Sequence, residues 1–127
     1  MLVRDVVSKN VVSASPQDTV RVAVNLMASR NVGSVLVLES GRLVGIFTER
    51  DLVRHLHRGG GLEDRLSDVM TRNPITIRED ESLWKAAMIM VEHGIRHLPV
   101  VDGEGRLVGV ISVRDTLRAL VASSHVP

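Results

Sequence analysis

The chain repeats itself. Residues from about Val6 to Leu56 recur from about Val69 to Leu120, and both copies close on the same run. The first reads Gly41-Arg42-Leu43-Val44-Gly45-Ile46-Phe47-Thr48-Glu49-Arg50-Asp51, the second Gly105-Arg106-Leu107-Val108-Gly109-Val110-Ile111-Ser112-Val113-Arg114-Asp115. Val37 and Val100 lie 63 positions apart, whereas Gly45 and Gly109 lie 64 apart, so one extra turn residue explains the difference. Both copies keep a hydroxyl residue and an aspartate at one spacing, which points to two related pockets. Core packing alone gives less reason to keep them.

At 127 residues the chain has the length of one compact domain, enough to bury roughly two-thirds of its unfolded surface. Hydrophobic residues make up 44% and aromatics only 2%, so the core must be Val, Leu, Ile, Ala and Met. That favours β-branched strands packed on aliphatic helices. With 16 basic and 15 acidic residues, the net charge of +1 argues against nucleic-acid binding through a dense positive field. The lack of cysteine excludes disulfides, thiolate metal sites and cysteine nucleophiles. No apolar leader or membrane-length run stands in the sequence, so the expected location is cytoplasmic.

Hydrophobic periodicity switches in the same order in each copy. Val11-Val12-Ser13 and Ile75-Thr76-Ile77 are short β-prone runs. Helical spacing follows at Val20, Ala23, Val24 and Met27, and again at Leu83, Ala86, Ala87, Met90 and Val91. Thr19 or Asp18 can cap the first helix and Ser82 or Glu81 the second, with ends near Asn31 and Gly94. Two apolar runs across a glycine turn then read as a β-hairpin in each copy. A closing helix starts at Thr48 or Ser112. Each copy is therefore β-α-β-β-α, an α+β arrangement. The expected division is residues 1–58 for repeat one, 59–67 for a linker and 68–127 for repeat two. Gly59-Gly60-Gly61 reads as a flexible linker, followed by a helical turn around Leu62 to Met70. A single unit with helices on one sheet face is marginal alone. Two units packed sheet to sheet around a pseudo-twofold axis would form one cooperative domain.

The pattern of glycine, two apolar residues, Thr or Ser, two variable residues and Asp resembles the closing signature of CBS domains, named after cystathionine β-synthase. It stands here as Gly45-Ile46-Phe47-Thr48-Glu49-Arg50-Asp51 and Gly109-Val110-Ile111-Ser112-Val113-Arg114-Asp115. Gly94-Ile95-Arg96-His97-Leu98-Pro99-Val100-Val101-Asp102 also resembles that family's crossing from helix to strand. The resemblance spans nearly the whole chain. It implies a non-catalytic sensor or regulatory module that binds AMP, ADP or ATP in clefts between two CBS repeats, with no required cofactor. S-adenosylmethionine is a further candidate ligand. The resemblance also implies a homodimer and a regulated protein partner that the sequence does not name. The alternative is a structural dimerisation or assembly module with weak or no ligand binding.

Residue chemistry bears on these roles separately. A Thr or Ser at a helix start sets a hydroxyl beside free backbone N–H groups, which suits phosphate. An Asp three residues on lies about one turn further, and its carboxylate can accept both hydroxyls of a ribose. The resemblance gives these roles to Thr48, Asp51, Ser112 and Asp115. A competing reading makes Thr48 and Ser112 plain helix caps, with Asp51 and Asp115 adding favourable first-turn charge. Arg96 and His97 stand where the family often places phosphate contacts, and their counterparts Gly33 and Ser34 are small. The two pockets are thus expected to be unequal. Arg96 alternatively reads as a surface residue pairing with a carboxylate. An adenine slot falls by position to Val12, Ser13 and Val32, and in repeat two to Thr76, Ile77 and Ile95, although core packing explains these equally well. Arg50 and Arg114 recur beside each Asp and can neutralise phosphate or pair with their neighbour. His93 and His97 have metal-pair spacing, but Gly94 should end the helix between them, so no metal is expected. His55 and His57 read as solvated, and Trp84 as a core or dimer-contact residue.

Overall fold

The computed structural model describes residues 1–123, so the last four residues of the 68–127 repeat lie outside the described part. The chain forms two compact units. The repeat-one unit is Val11–Pro74, and the repeat-two unit joins Met1–Asn10 to the chain from Ile75 onward. Its bounds differ from the sequence repeats because each unit is completed by the segment that precedes the other repeat.

The repeat-one unit contains β1 (Ser13–Ala14), α1 (Val20–Arg30), β2 (Ser34–Glu39), β3 (Arg42–Thr48), α2 (Glu49–His57), α3 (Leu66–Val69) and β4 (Thr71–Arg72). Its sheet runs β1-β2-β3-β4, with β1 parallel to β2 and the other pairs antiparallel. The repeat-two unit has a 3₁₀ turn at Val3–Asp5, then β5 (Ile77–Arg78), α4 (Leu83–His93), β6 (His97–Val101), β7 (Leu107–Ser112) and α5 (Val113–Ser123). Its sheet runs β5-β6-β7.

Local chemistry sets the helix bounds as the sequence predicts. Thr19 Oγ1 accepts the Val22 N–H at 3.3 Å to start α1, which ends on left-handed Asn31 at φ 53°. Ser82 Oγ accepts the Lys85 N–H at 3.0 Å to start α4, which ends on left-handed Gly94 at φ 63°. Val20, Ala23 and Met27 face one core, with Val35, Val37 and Phe47; Leu83, Ala86 and Met90 face the other, with Leu98, Val100 and Ile111. The hairpins repeat in register: Val35 opposes Phe47 and Val37 opposes Gly45, as Leu98 opposes Ile111 and Val100 opposes Gly109. Each also breaks register at the equivalent place, after Val37 and after Val100.

One departure has a covalent cause. The Leu36 N–H donates to the Val12 carbonyl at 2.9 Å, carrying the parallel pairing back toward the start of repeat one. Its counterpart Pro99 has no N–H, so the same bond to Ile75 cannot form. Pairing accordingly starts at Ser13 in one unit and only at Ile77 in the other.

The exchanged segments act alike in both units. Leu66 and Val3 are fully buried, each in the core that its segment completes. The Val20 N–H donates to the Asp64 carbonyl and the Leu83 N–H to the Met1 carbonyl, both at 2.9 Å. Each bond satisfies a donor that a helix start otherwise leaves open. The strips also explain the signature glycines. A Cβ on Gly45 would lie 2.5 Å from Met70 Sδ, and one on Gly109 would collide with the Ser8 carbonyl oxygen. Ser8 and Val110 exchange two backbone hydrogen bonds of 3.0 Å, so that strip runs directly over Gly109.

Gly59-Gly60-Gly61 is held, which corrects the expectation of a flexible linker. Gly59 takes φ +88°, its N–H donates to the Leu56 carbonyl at 3.0 Å, and the Gly60 N–H donates to the His55 carbonyl at 2.9 Å. These two bonds close α2 in a Schellman motif. Gly60 must lack a side chain because the His55 ring fills that space. His55 is not solvated as expected either: its side chain is 13% exposed, with Nε2 2.9 Å from the Gly61 carbonyl and 3.1 Å from Asp64 Oδ2. Trp84 is 65% exposed, so it is not a core residue.

Candidate functional site

In the repeat-one unit, β3 delivers Thr48 to the start of α2. The Glu49 N–H donates to the Gly33 carbonyl at 3.1 Å, which joins the helix start to the crossing before β2. The Asp51 N–H donates to Thr48 Oγ1 at 3.2 Å. In return Asp51 Oδ2 accepts the Thr48 N–H at 2.9 Å and the Thr48 hydroxyl at 3.1 Å. This reciprocal arrangement is a capping box. From β4, the Thr71 hydroxyl donates to Asp51 Oδ1 at 3.3 Å. The half-buried Asp51 carboxylate is thus held on both oxygens.

The repeat-two unit builds the same frame and leaves its carboxylate open. The Val113 N–H donates to the Arg96 carbonyl at 2.9 Å, the counterpart of Glu49 to Gly33. The Asp115 N–H donates to Ser112 Oγ at 3.0 Å. Buried Thr116 turns its hydroxyl back to the Ser112 carbonyl at 2.9 Å. Asp115 is half-buried, and among the described residues its carboxylate accepts no hydrogen bond and forms no ion pair. Both hydroxyls therefore do cap helices, and the two aspartates differ in what they have left to offer.

Sheet register brings the crossing residues to the signature hydroxyls. Ser34 opposes Thr48 and His97 opposes Ser112 across their hairpins. Ser34 is only 7% exposed, whereas His97 is half-buried. Arg96 is exposed and makes no ion pair among the described residues. Arg50 and Arg114 are exposed in the first turns of α2 and α5. Of the adenine-slot candidates, Val12 lies just before β1, Ser13 is in it, and Thr76 is exposed just before β5. Val32 and Ile95 are half-buried against the two cores, and Ile77 is a buried member of the second core. His93 closes α4 while His97 opens β6, and no group of three or more metal-ligating side chains occurs among the described residues.

A cleft of about 580 Å³ opens beside Asp51, lined among others by Arg54, Arg58, Asp68, Met70 and Thr71. Sequence reasoning passed over these residues. Arg54 and Arg58 follow Asp51 at three and seven positions, one helix face, and Thr71 is the 63-position counterpart of Ser8. Among the described residues no helix is long and apolar enough to cross a membrane.

The sequence profile of the CBS domain matches this chain twice, over residues 3–58 and 66–122. An uncharacterized protein of Methanopyrus kandleri is 35% identical over 119 residues, which are 91% of this chain and 61% of that protein. The CBS domain pair of protein MJ0100, crystallised with 5′-methylthioadenosine and S-adenosyl-L-methionine, superposes with a TM-score of 0.89 at 30% identity, covering 98% of either chain. The CBS domain protein PAE2072 from Pyrobaculum aerophilum, complexed with AMP, superposes with a TM-score of 0.86 at 27% identity, covering 97% of this chain and all of that one.

Proposed function

This chain belongs to the CBS domain family, with two copies of the domain, and from that premise we propose that it is a non-catalytic, nucleotide-binding regulatory module. Its ligand is AMP, ADP or ATP. Asp115 and Asp51 read the ribose, while the Ser112 and Thr48 hydroxyls hold phosphate. The observation that carries this reading is the Asp115 carboxylate, half-buried and without a donor among the described residues. Such a group is costly to keep unpaired, and a ribose diol supplies two donors. Exposed Arg96 supplies a cation for phosphate beside it, with His97 and Arg114 flanking; Gly33, Ser34 and Arg50 take the corresponding places in repeat one. Val12, Ser13, Val32, Thr76 and Ile95 offer backbone and apolar surface for the base, while Ile77 contributes only its backbone. The adenosine ligands of MJ0100 and PAE2072 support the choice of nucleoside. The paired hydroxyl and cation at Ser112 and Arg96 favour a phosphate-bearing nucleotide over S-adenosylmethionine.

Occupancy passes outward through self-association or a protein partner in the cytoplasm. Exposed Trp84, Met88 and Val91 on α4, with Leu117 and Val121 on α5, support a homodimer. The test is calorimetric titration with AMP, ADP, ATP and S-adenosylmethionine, beside Asp115→Ala. A nucleotide at a hundredfold excess over Kd should add about 2.7 kcal/mol of stability, a gain that Asp115→Ala removes in large part. No heat and no thermal shift with any of the four would leave the assembly module as the function.

A further inference from the structure

We infer that the Thr48 hydroxyl couples phosphate to ribose in the repeat-one site. Asp51 accepts both hydroxyls of a ribose without loss only when a phosphate has drawn the Thr48 hydroxyl away. The inference rests on the ribose-reading and phosphate-holding roles given above, and it names how the two act on one another.

An ionised carboxylate offers about four acceptor positions, two on each oxygen. Both on Asp51 Oδ2 are taken, by the Thr48 N–H at 2.9 Å and the Thr48 hydroxyl at 3.1 Å. Oδ1 accepts the Thr71 hydroxyl at 3.3 Å and keeps one position open. A ribose diol brings two donors, so seating both without phosphate breaks an existing bond. Thr48 has a single hydroxyl hydrogen to give, while its oxygen separately accepts the Asp51 N–H at 3.2 Å. Turning that hydrogen to a phosphate oxygen leaves the cap on the Asp51 N–H intact. It also leaves one open position on each carboxylate oxygen, enough for the two ribose hydroxyls. Ser34 favours the turn. It opposes Thr48 across the hairpin, so the two side chains share a face. Ser34 is only 7% exposed, and among the described residues its hydroxyl forms no hydrogen bond. A phosphate at this helix start therefore meets two hydroxyls at once.

The repeat-two site lacks this coupling. Ser112 Oγ accepts the Asp115 N–H at 3.0 Å, yet among the described residues Ser112 makes no hydrogen bond to the Asp115 carboxylate. Asp115 thus offers the same positions to a ribose whether or not phosphate is present. The repeat-one site discriminates against a bare nucleoside, and the repeat-two site reads the ribose in either case.

The test is a square of four ligands, AMP and 2′-deoxy-AMP beside adenosine and 2′-deoxyadenosine. Calorimetry reads the affinities, with displacement of AMP for the weaker nucleosides. Asp115→Ala isolates the repeat-one site, and Asp51→Ala the repeat-two site. In the repeat-one site the 2′-hydroxyl should tighten the nucleotide about tenfold, the worth of one hydrogen bond to a charged group, and leave the nucleoside nearly unchanged. In the repeat-two site it should tighten both alike. Thr48→Val keeps the β-branched shape and removes the hydroxyl, so in the isolated repeat-one site the 2′-hydroxyl should then count equally with and without phosphate. Thr48→Ser should restore the inequality. A 2′-hydroxyl that already counts equally before Thr48 is changed, or an inequality that survives Thr48→Val, overturns the coupling. A 2′-hydroxyl without effect on any ligand at either site overturns instead the ribose-reading role beneath it.

Discussion

The Asp51 and Asp115 sites descend from one repeated signature, yet one is a closed network and the other an open carboxylate. Both have the capping hydroxyl, in both the first helix N–H donates to a carbonyl of the preceding crossing, and both face a hairpin in the same register. Part of the difference comes from outside the signature. Thr71 reaches Asp51, and Ser8 does not reach Asp115. A motif thus fixes where a carboxylate stands, and a strip of chain from elsewhere decides how much of it is available.

The strongest way to break the comparison is to disturb the strips over the two glycines. Gly109→Ala sets a methyl against the Ser8 backbone, whereas Gly45→Ala meets first a Met70 thioether that can swing aside, with the Thr71 carbonyl oxygen at 3.0 Å behind it. Chemical denaturation should show a loss of about 3 kcal/mol for the first and about 1 kcal/mol for the second. Equal losses would mean that the strips are equally soft. Replacing the aspartates sharpens the contrast further. Asp51→Ala removes half a capping box and should cost about 1 kcal/mol without ligand. Asp115→Ala breaks no bond of its side chain and should stay within about 0.5 kcal/mol, its effect appearing only on nucleotide binding. A reversed order would remove the distinction between a closed and an open site.

The smallest expected effect is on acid stability. Asp102 accepts the backbone N–H groups of Arg106 and Glu104 in the β6–β7 turn, which hold its carboxyl below the usual aspartate range. Asp80 is lowered by the hydrogen bond from the Arg78 side chain. Both belong to the repeat-two unit, and their 63-position counterparts are Glu39 and Gln17. A lowered folded-state pKa stabilises the fold above the unfolded value and loses that stabilisation as pH falls through the folded one. Amide protection, corrected for the intrinsic exchange rate, should therefore fall below about pH 4 in the repeat-two unit by a contribution that the repeat-one unit lacks. Identical acid profiles after Asp102→Asn and in the unaltered protein would remove that difference.

Much of this was legible from residues alone. The caps at Thr19 and Ser82, the left-handed ends at Asn31 and Gly94, and the hairpins follow from local rules that operate within a few residues. The signature also announced the family. What could not be read was partnership at long range. The turn at Val3–Asp5 is too short for a periodic pattern, and nothing local tells Val3 to enter a core built from Ile77 and Leu98. Gly60 looked flexible because its constraint is the ring of His55, which only the folded helix end brings there. Thr71 escaped notice for the same reason: its partner is a carboxylate twenty positions earlier, joined to it only through sheet pairing. The missing Pro99 donor, by contrast, was written in the sequence and needed only its neighbour strand to give it meaning.

Exchanged strips also impose an order on synthesis. The repeat-one unit has its last strand once Arg72 has left the ribosome, and it can close at once. In the opening strip Val3 and Arg4 bond to the carbonyls of Glu81 and Glu79, while Ser8 must wait for Val110, about a hundred residues behind. At roughly 5–20 residues per second that wait lasts about 5–20 seconds. For that interval the nascent chain carries one finished fold and a Val3–Ser8 segment without its last partner, and that segment is where a chaperone or a second nascent copy would find its opening.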